Sequence, residues 1–273
     1  METTLPPYVE RVSLFAEQHA SSGDHVICNN LPTLLWLGQM ANLGLHPWQS
    51  RVTLEPDAHG LPRTFSRSAA ALEASVINYP DFIVFDLDPY LYTGREARGA
   101  EPLPHREGFR KTCEVAFWLK EVLDALHLRS FVKTSGKTGL HLFVPILRQF
   151  DYDTVRRMSE QICRHVLAEH PDELTTEWSI ERRRGKVFLD YNQNTRGKTL
   201  ASAYSPRALP GAPVSLPVDW QDLEQVSPAE FNIQTVHTRL ANVGDPWRDI
   251  ILAAKNDLTA QLQLAPTGPV TGG

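Results

Sequence analysis

Asp86 and Asp88 stand one residue apart in the run Asp81-Phe82-Ile83-Val84-Phe85-Asp86-Leu87-Asp88-Pro89. In an extended strand residues i and i+2 share a face, with Cα atoms roughly 6.5–7 Å apart. Phe82, Val84 and Asp86 then point the same way, and both carboxylates follow apolar residues at the end of the strand. Two acids this close repel one another, and one keeps its proton unless a cation lies between them. Hard divalent ions such as Mg²⁺ and Mn²⁺ take oxygen ligands of this kind and fill their shell with phosphate oxygens. Taken alone, the same pair is equally a strand end that caps the turn before Pro89.

Two further clusters could act with these acids. Lys133-Thr-Ser-Gly-Lys-Thr-Gly-Leu-His141 places a Gly-containing turn between two strand-like runs. Its backbone N–H groups, with Ser135, Lys137, Thr138 and His141, could cradle a triphosphate. Taken alone it is an ordinary hairpin turn, and a lone His on a strand is more often structural. Gly136-Lys137-Thr138 looks like the end of a Walker loop, but the first Gly and the x₄ spacing are absent and a strand follows instead of a helix, which excludes a P-loop. The third cluster lies around Asp190, which ends the apolar run Val187-Phe188-Leu189 and can supply a third carboxylate. Gln193 and Asn194 offer amides there, and Arg183, Arg196 and Arg207 offer charge-assisted bonds to phosphate. An Asp among so many bases could also be simply salt-bridged.

Secondary-structure patterning indicates what positions these residues. The acids sit on a strand over 82–87. A helix over 109–126 has apolar residues at helical spacing, and strands over 130–134 and 140–146 flank the Gly turn. A second amphipathic helix spans 154–168, with strands over 186–191 and 199–204. Upstream, Asn29-Asn30-Leu31-Pro32 reads as a helix cap with Pro in the first turn. That helix runs to about Asn42, with Leu31, Leu34, Leu35 and Met40 as its core-facing stripe. A short helix spans 68–75. The segments 51–67 and 90–108 read as loops, 205–218 as an irregular Pro-rich wrap, and residues 2–11 as weakly patterned. Strand pairs interleaved with helices indicate an α+β or mixed α/β domain.

Composition narrows the class. With 42% hydrophobic and 22% charged residues, the chain can bury a core and does not read as disordered. No apolar run approaches the roughly 20 residues of a membrane span, and the N-terminus lacks a basic-then-apolar signal pattern. Cys28, Cys113 and Cys163 lie far apart, which argues against a zinc ribbon or disulfide framework and suits a cytoplasmic protein. The net charge is −5, yet seven basic residues fall between Glu181 and Arg207. A basic cluster on an acidic chain is either a local anion site or a solvated face.

Phosphatases of the haloacid dehalogenase type also place D-x-D after an apolar strand, but they need Thr or Val where this chain has Tyr90. The ordered set CNNLPTLLWLGQMANLGLHPWQSR, DFIVFDLDP, FVKTSGKTGLHLFVPI and RGKVFLDYNQNTRGKTLASAYSPRALPGAPVSLP instead resembles the archaeo-eukaryotic primase–polymerase superfamily. Within it the chain is most similar to the polymerase domain of bacterial ligase D and its stand-alone archaeal relatives, from about Pro6 to Trp247. The resemblance implies an α+β primase–polymerase core over 6–250, with mixed or antiparallel sheets flanked by helices and the active site in the cleft between them. It implies addition of nucleotides, preferentially ribonucleotides, to a DNA primer 3′-hydroxyl during non-homologous end joining, with Mn²⁺ favoured over Mg²⁺. The implied partners are DNA ends, NTP or dNTP, Ku and an ATP-dependent DNA ligase. A mobile-element or replicative primase and a DNA-end-binding scaffold are the alternatives.

Carried over by residue, Asp86, Asp88 and Asp190 are implied as metal ligands, with Asp190 on the primer side. Ser135, Lys137 or Thr138, and His141 are implied to hold the triphosphate. Arg183, Gln193 and Arg207 match positions that bind phosphate or sugar, and His46 in the LHPW segment is a further nucleotide-binding candidate. Two departures stand out. Relatives often carry the loop Lys immediately before the second Gly, where this chain has Thr138. Relatives also carry further sequence upstream of the point matching Pro6, with a helix, the first strands, a base-stacking aromatic and lysines for a downstream 5′-phosphate. The resemblance therefore implies a catalytic domain lacking that segment, with activity weakened by the loss. Residues 263–273 are expected to form a disordered tail.

Overall fold

The computed structural model describes residues 5–16, 21–96, 100, 102–227, 230–251 and 255–264. The chain opens with an antiparallel hairpin, β1 (Glu10–Ala16) and β2 (Ser21–Ile27), then helices α1 (Leu31–Gln39) and α2 (Ala69–Glu73). Next come β3 (Phe82–Pro89), α3 (Arg106–Ala125), β4 (Phe131–Thr134), β5 (Leu140–Pro145) and α4 (Tyr152–Glu169). The remaining elements are β6 (Leu174–Thr175), α5 (Ile180–Arg183), β7 (Val187–Asp190), β8 (Pro217–Val218), α6 (Val236–Val243) and α7 (Thr259–Leu264). The fold is α+β, with a mixed six-stranded sheet of order β6-β7-β3-β5-β4-β8. Only the β6–β7 pair is parallel.

The two faces of this sheet differ. Alternation along β3 sends Ile83, Phe85 and Leu87 to one side, where Leu140, Leu142, Val144, Val187 and Leu189 join them in the main core. Helices α3 and α4 cover that side through Cys113, Ala116, Leu119, Val155, Ile162 and Val166. Both helices start on side-chain caps: His105 accepts from the Gly108 N–H and Asp151 from the Thr154 N–H. The other face carries Phe82, Val84, Asp86 and Asp88. Its apolar half, Val84, Phe131 and Phe143, lies under Leu200, Trp247 and Ile250. A third small core joins Leu14, Ala58, Phe65, Leu72, Val76 and Ile77.

Several sequence expectations are corrected. α1 is capped by Asn30 as expected, but Leu31, Leu34, Leu35 and Met40 are exposed, while Thr33 and Leu37 are buried. Asn30 Nδ2 and Thr33 Oγ1 both donate to the Tyr8 carbonyl, and this tether turns the Thr33–Leu37 edge inward. The strand expected over 199–204 is not one: Thr199 bridges Trp48, and the Ser202 N–H donates to the Leu45 carbonyl. Both edges of β7 are already occupied by β6 and β3, so the segment pairs with the chain around Trp48 instead. β1, β2, β6 and β8 were not expected. β3 extends through Pro89, two residues beyond its expected end. The tail expected from 263 onward lies, past Leu264, outside the described residues.

Candidate active site

The sheet register assembles the site. In antiparallel strands, directly opposed residues point their side chains to the same face. Asp86 on β3 is opposed by Asp190 on β7 and by His141 on β5, and His141 is opposed in turn by Lys133 on β4. One row across four strands therefore reads Asp190, Asp86, His141, Lys133, and all four are buried. Asp88 lies one step further along the same face, opposite Phe188, and is less buried.

Burial dominates the electrostatics of this row. It pushes Asp86 up to about 6, although Lys133 and Arg207 pull the other way. Asp190 is also raised by burial, and the negative charge of Asp86 adds to this, while a hydrogen bond from the Asn192 N–H at 2.8 Å opposes it. Burial lowers the Lys133 ammonium to about 7 against the pull of Asp86. His141 is held well below its usual range by burial, then by Lys133, Arg207 and His46. Its ring is therefore neutral at physiological pH.

The acids are incompletely partnered. Gln193 Nε2 reaches both, lying 3.5 Å from Asp86 Oδ2 and 3.3 Å from Asp190 Oδ2. His141 Nε2 lies 3.2 Å from Asp86 Oδ1 without hydrogen-bond alignment, so that oxygen is buried and unpaired. A buried, unpaired carboxylate oxygen facing a second carboxylate is what a divalent cation would satisfy. Among the described residues no three His, Cys, Asp or Glu side chains are already gathered as a cation cage. Asp86 and Asp190 are the convergent pair, and Asp88 stands beside them.

The Gly turn packs over the end of this row. Ser135 Oγ accepts from the N–H groups of Lys137 at 3.2 Å and Gly139 at 3.1 Å, so Ser135 shapes the loop itself. Arg207 Nη1 donates to the Ser135 carbonyl at 3.1 Å. Two positions require glycine. Gly136 has φ +71°, and a Cβ there would sit 2.7 Å from Arg207 Cγ and 2.8 Å from Ser215 N. A Cβ on Gly139 would sit 2.0 Å from the Leu87 carbonyl oxygen. These close approaches bring Lys137 and Thr138 to a small cleft shared with Asp88, Pro89, Tyr90 and Pro102.

The other expected residues lie at the rim. Arg183 is buried, stacked 3.5 Å from the Phe188 ring centroid, and donates from Nη1 to Tyr90 Oη at 2.8 Å. Trp178 also flanks its guanidinium, whose charge is felt at Asp190. His46 is exposed, yet close enough to depress His141. The structure thus joins Asp86, Asp190, His141 and Gln193 directly. It places Ser135, Lys137 and Thr138 in the adjoining loop with Arg207 packed against that loop, and sets Arg183 near Asp190 and His46 near His141.

Two residues that build the site were not singled out for it from sequence. Lys133 completes the buried row. Asn194, offered only as an amide near phosphate, instead accepts from the Val84 N–H at 2.8 Å and donates to the Val84 carbonyl at 2.7 Å. It therefore continues the ladder along β3 beyond the end of β7. The signal for Lys133 was available: a five-residue turn over 135–139 pairs 133 with 141.

A model of the LigD primase-polymerase domain matches residues 1–247. The bifunctional non-homologous end joining protein LigD of Bacillus subtilis (strain 168) is 29% identical over 231 residues, covering 84% of this chain and 32% of the relative. The multifunctional non-homologous end joining protein LigD of Pseudomonas aeruginosa is 35% identical over 190 residues, 68% of this chain and 20% of the relative. The chain thus spans about a third or less of these relatives' length. The polymerase domain from Mycobacterium tuberculosis ligase D, solved in complex with DNA, superposes with a TM-score of 0.73 at 25% identity, covering 93% of this chain and 78% of that one. On this match over residues 1–247, the chain belongs to the LigD primase-polymerase domain family.

Proposed function

We propose that this chain is a DNA-end repair nucleotidyltransferase, adding ribo- or deoxyribonucleotides to a DNA primer 3′-hydroxyl in non-homologous end joining. The observation that carries this is the pairing of Asp86 with Asp190 across β3 and β7, with Asp86 Oδ1 buried and unpaired. Asp86, Asp88 and Asp190 would hold Mn²⁺ or Mg²⁺ in a two-metal arrangement. Such ions, when bound, stabilise the attacking and leaving oxygens of an in-line phosphoryl displacement. The carboxylates give the site its hard oxygen ligands, and Asp190 lies on the side expected to align the primer hydroxyl.

The chain's other residues bind and orient. His141 and the loop over 135–139 face the space beside Asp86 and Asp88, where a triphosphate would lie. Arg207 and Lys137 offset its charge. Gln193, which reaches both Asp86 and Asp190, would be available to a ligand once a cation took its place between the two carboxylates. The relatives are non-homologous end joining proteins and the superposed polymerase domain was solved with DNA, which supports DNA ends as substrate. Ku and an ATP-dependent DNA ligase are the partners this reading proposes at the same break.

The test is primer extension in Mn²⁺ on a recessed DNA end, comparing the parent with Asp86→Ala and Asp190→Ala. Loss of incorporation by on the order of 100-fold or more is expected. Variants as active as the parent would exclude the assignment. A parent that binds DNA ends but incorporates nothing would favour the scaffold role.

A further inference from the structure

A lysine in the middle of a buried sheet face calls for explanation. Along β4, Phe131 and Lys133 share the face that carries the acids, and Phe131 belongs to the apolar cluster under Trp247. Lys133 is the next residue on that face, at the point where the cluster gives way to the polar row. Its side chain is fully buried, packed 6.0 Å from the Phe143 ring centroid. Burying an ammonium is costly unless acceptors meet its donors. Two do. His141 Nδ1 lies 2.8 Å from Lys133 Nζ, and Ser215 Oγ is hydrogen-bonded to the same nitrogen.

The direction of these bonds is constrained. Lys133 donates as an ammonium, and as a neutral amine it keeps two N–H donors for the same two acceptors, so the imidazole nitrogen facing it accepts. Ser215 Oγ donates its own hydrogen to the Thr134 carbonyl at 3.0 Å, which leaves a lone pair for Lys133. The network therefore runs outward from Lys133, to His141 on one side and through Ser215 to Thr134 on the other. A neutral imidazole that accepts at Nδ1 carries its proton on Nε2. Nε2 is the nitrogen that lies 3.2 Å from Asp86 Oδ1, on the side of the site. The opposite tautomer would set an N–H against an ammonium at one nitrogen and a lone pair against a carboxylate at the other.

We propose that Lys133 is a positioning residue, which fixes the tautomer of His141 so that Nε2 faces the site as an N–H donor, available to the triphosphate. This rests on the proposed role of His141 in nucleotide binding, but Lys133 itself touches no substrate. It acts through the ring it holds, from the side of the sheet row furthest from Asp190.

Nitrogen NMR of ¹⁵N-histidine-labelled, metal-free full chain tests the first half without any variant. His141, identified by the signal lost in His141→Gln, is expected as a single Nε2–H tautomer. An Nδ1–H ring, or a mixture, would overturn the proposal even if the chain proves to be an active polymerase. The second half is a double-mutant cycle read by ATP titration in Mg²⁺ without primer, which does not depend on polymerisation. Lys133→Met is expected to weaken ATP binding about 10-fold in the parent and less than 2-fold in the His141→Gln background, because the effect passes through His141. Equal losses in both backgrounds would show that Lys133 acts independently, and would overturn it. Thermal melts show whether Lys133→Met folds, and if it does not, the tautomer of the parent decides.

Discussion

Asp86 carries the conflict between stability and function at the scale of a residue. Burial raises it to about 6, so the folded, metal-free protein holds a proton where an unfolded Asp, near 3.9, has lost it. The folded state then binds more protons between about pH 4 and 6, and stability at this site falls as pH rises through that window. Above it the penalty is complete. Asp86→Asn removes the charge and keeps the shape. Thermal melts without metal should show the variant about 2–6 °C above the parent at pH 7, with the gap closing near pH 4. Incorporation by the same variant should be lost. A variant less stable than the parent at pH 7 would mean that the ionised Asp86 is adequately partnered, and would remove the physical case for a cation.

At the scale of elements, β3 is the pivot, because its two neighbours bring Asp190 and His141 to the same residue. β7 is too short to cover all of β3, and Asn194 covers what remains by pairing both backbone groups of Val84. It also donates to Ser159 Oγ at 3.1 Å on α4 and to the Tyr191 carbonyl at 2.9 Å. Asn194→Ala leaves those groups buried and unpaired, so urea unfolding should give a loss of about 2–3 kcal/mol with an unchanged slope. A loss under about 0.5 kcal/mol would mean that water replaces the amide. The long elements were legible in sequence because their apolar periodicity was strong: β3, α3, β5 and α4 lie close to their expected spans. The placement of the three acids was legible because the Asp86–Asp88 pair and Asp190 each follow an apolar strand run. β1 and β2 were not, since β2 is polar and almost wholly exposed and leaves no alternation to read. α1 misled because its leucines suit a core stripe in composition, while the tether to Tyr8 decides which edge turns inward. Lys133 and Asn194 were not legible as functional residues, because each acts through a partner brought close only by the sheet.

Across the whole molecule, one sheet serves two purposes. Helices cover the face that supplies most of the core, and the opposite face is divided between the acids with their loop and the apolar cluster under Trp247. At the end of β3 remote from Asp88, Asp57 and Asp81 are held by Arg51, Arg148 and Lys255. This cluster ties the loop around Asp57 and the segment at Lys255 to the sheet. Arg148 is its hub, donating to Asp57 and to the carbonyls of Thr53, Leu54 and Glu55. Arg148→Ala removes a fully buried guanidinium from Asp57 and three carbonyls together, so chemical denaturation should register about 3–5 kcal/mol of lost stability. A loss below about 1 kcal/mol would show that Arg51 and Lys255 suffice. Among the described residues no helix is long and apolar enough to cross a membrane.

The central claim is that Asp86, Asp88 and Asp190 together bind the divalent cations of nucleotidyl transfer, although only Asp86 and Asp190 converge directly across the sheet. The most direct measurement is Mn²⁺ binding followed by electron paramagnetic resonance, in the presence of ATP, for the parent and for Asp86→Asn, Asp88→Asn and Asp190→Asn. Each substitution is expected to weaken Mn²⁺ binding by about 10-fold or more. Undiminished Mn²⁺ affinity in all three variants would contradict the account.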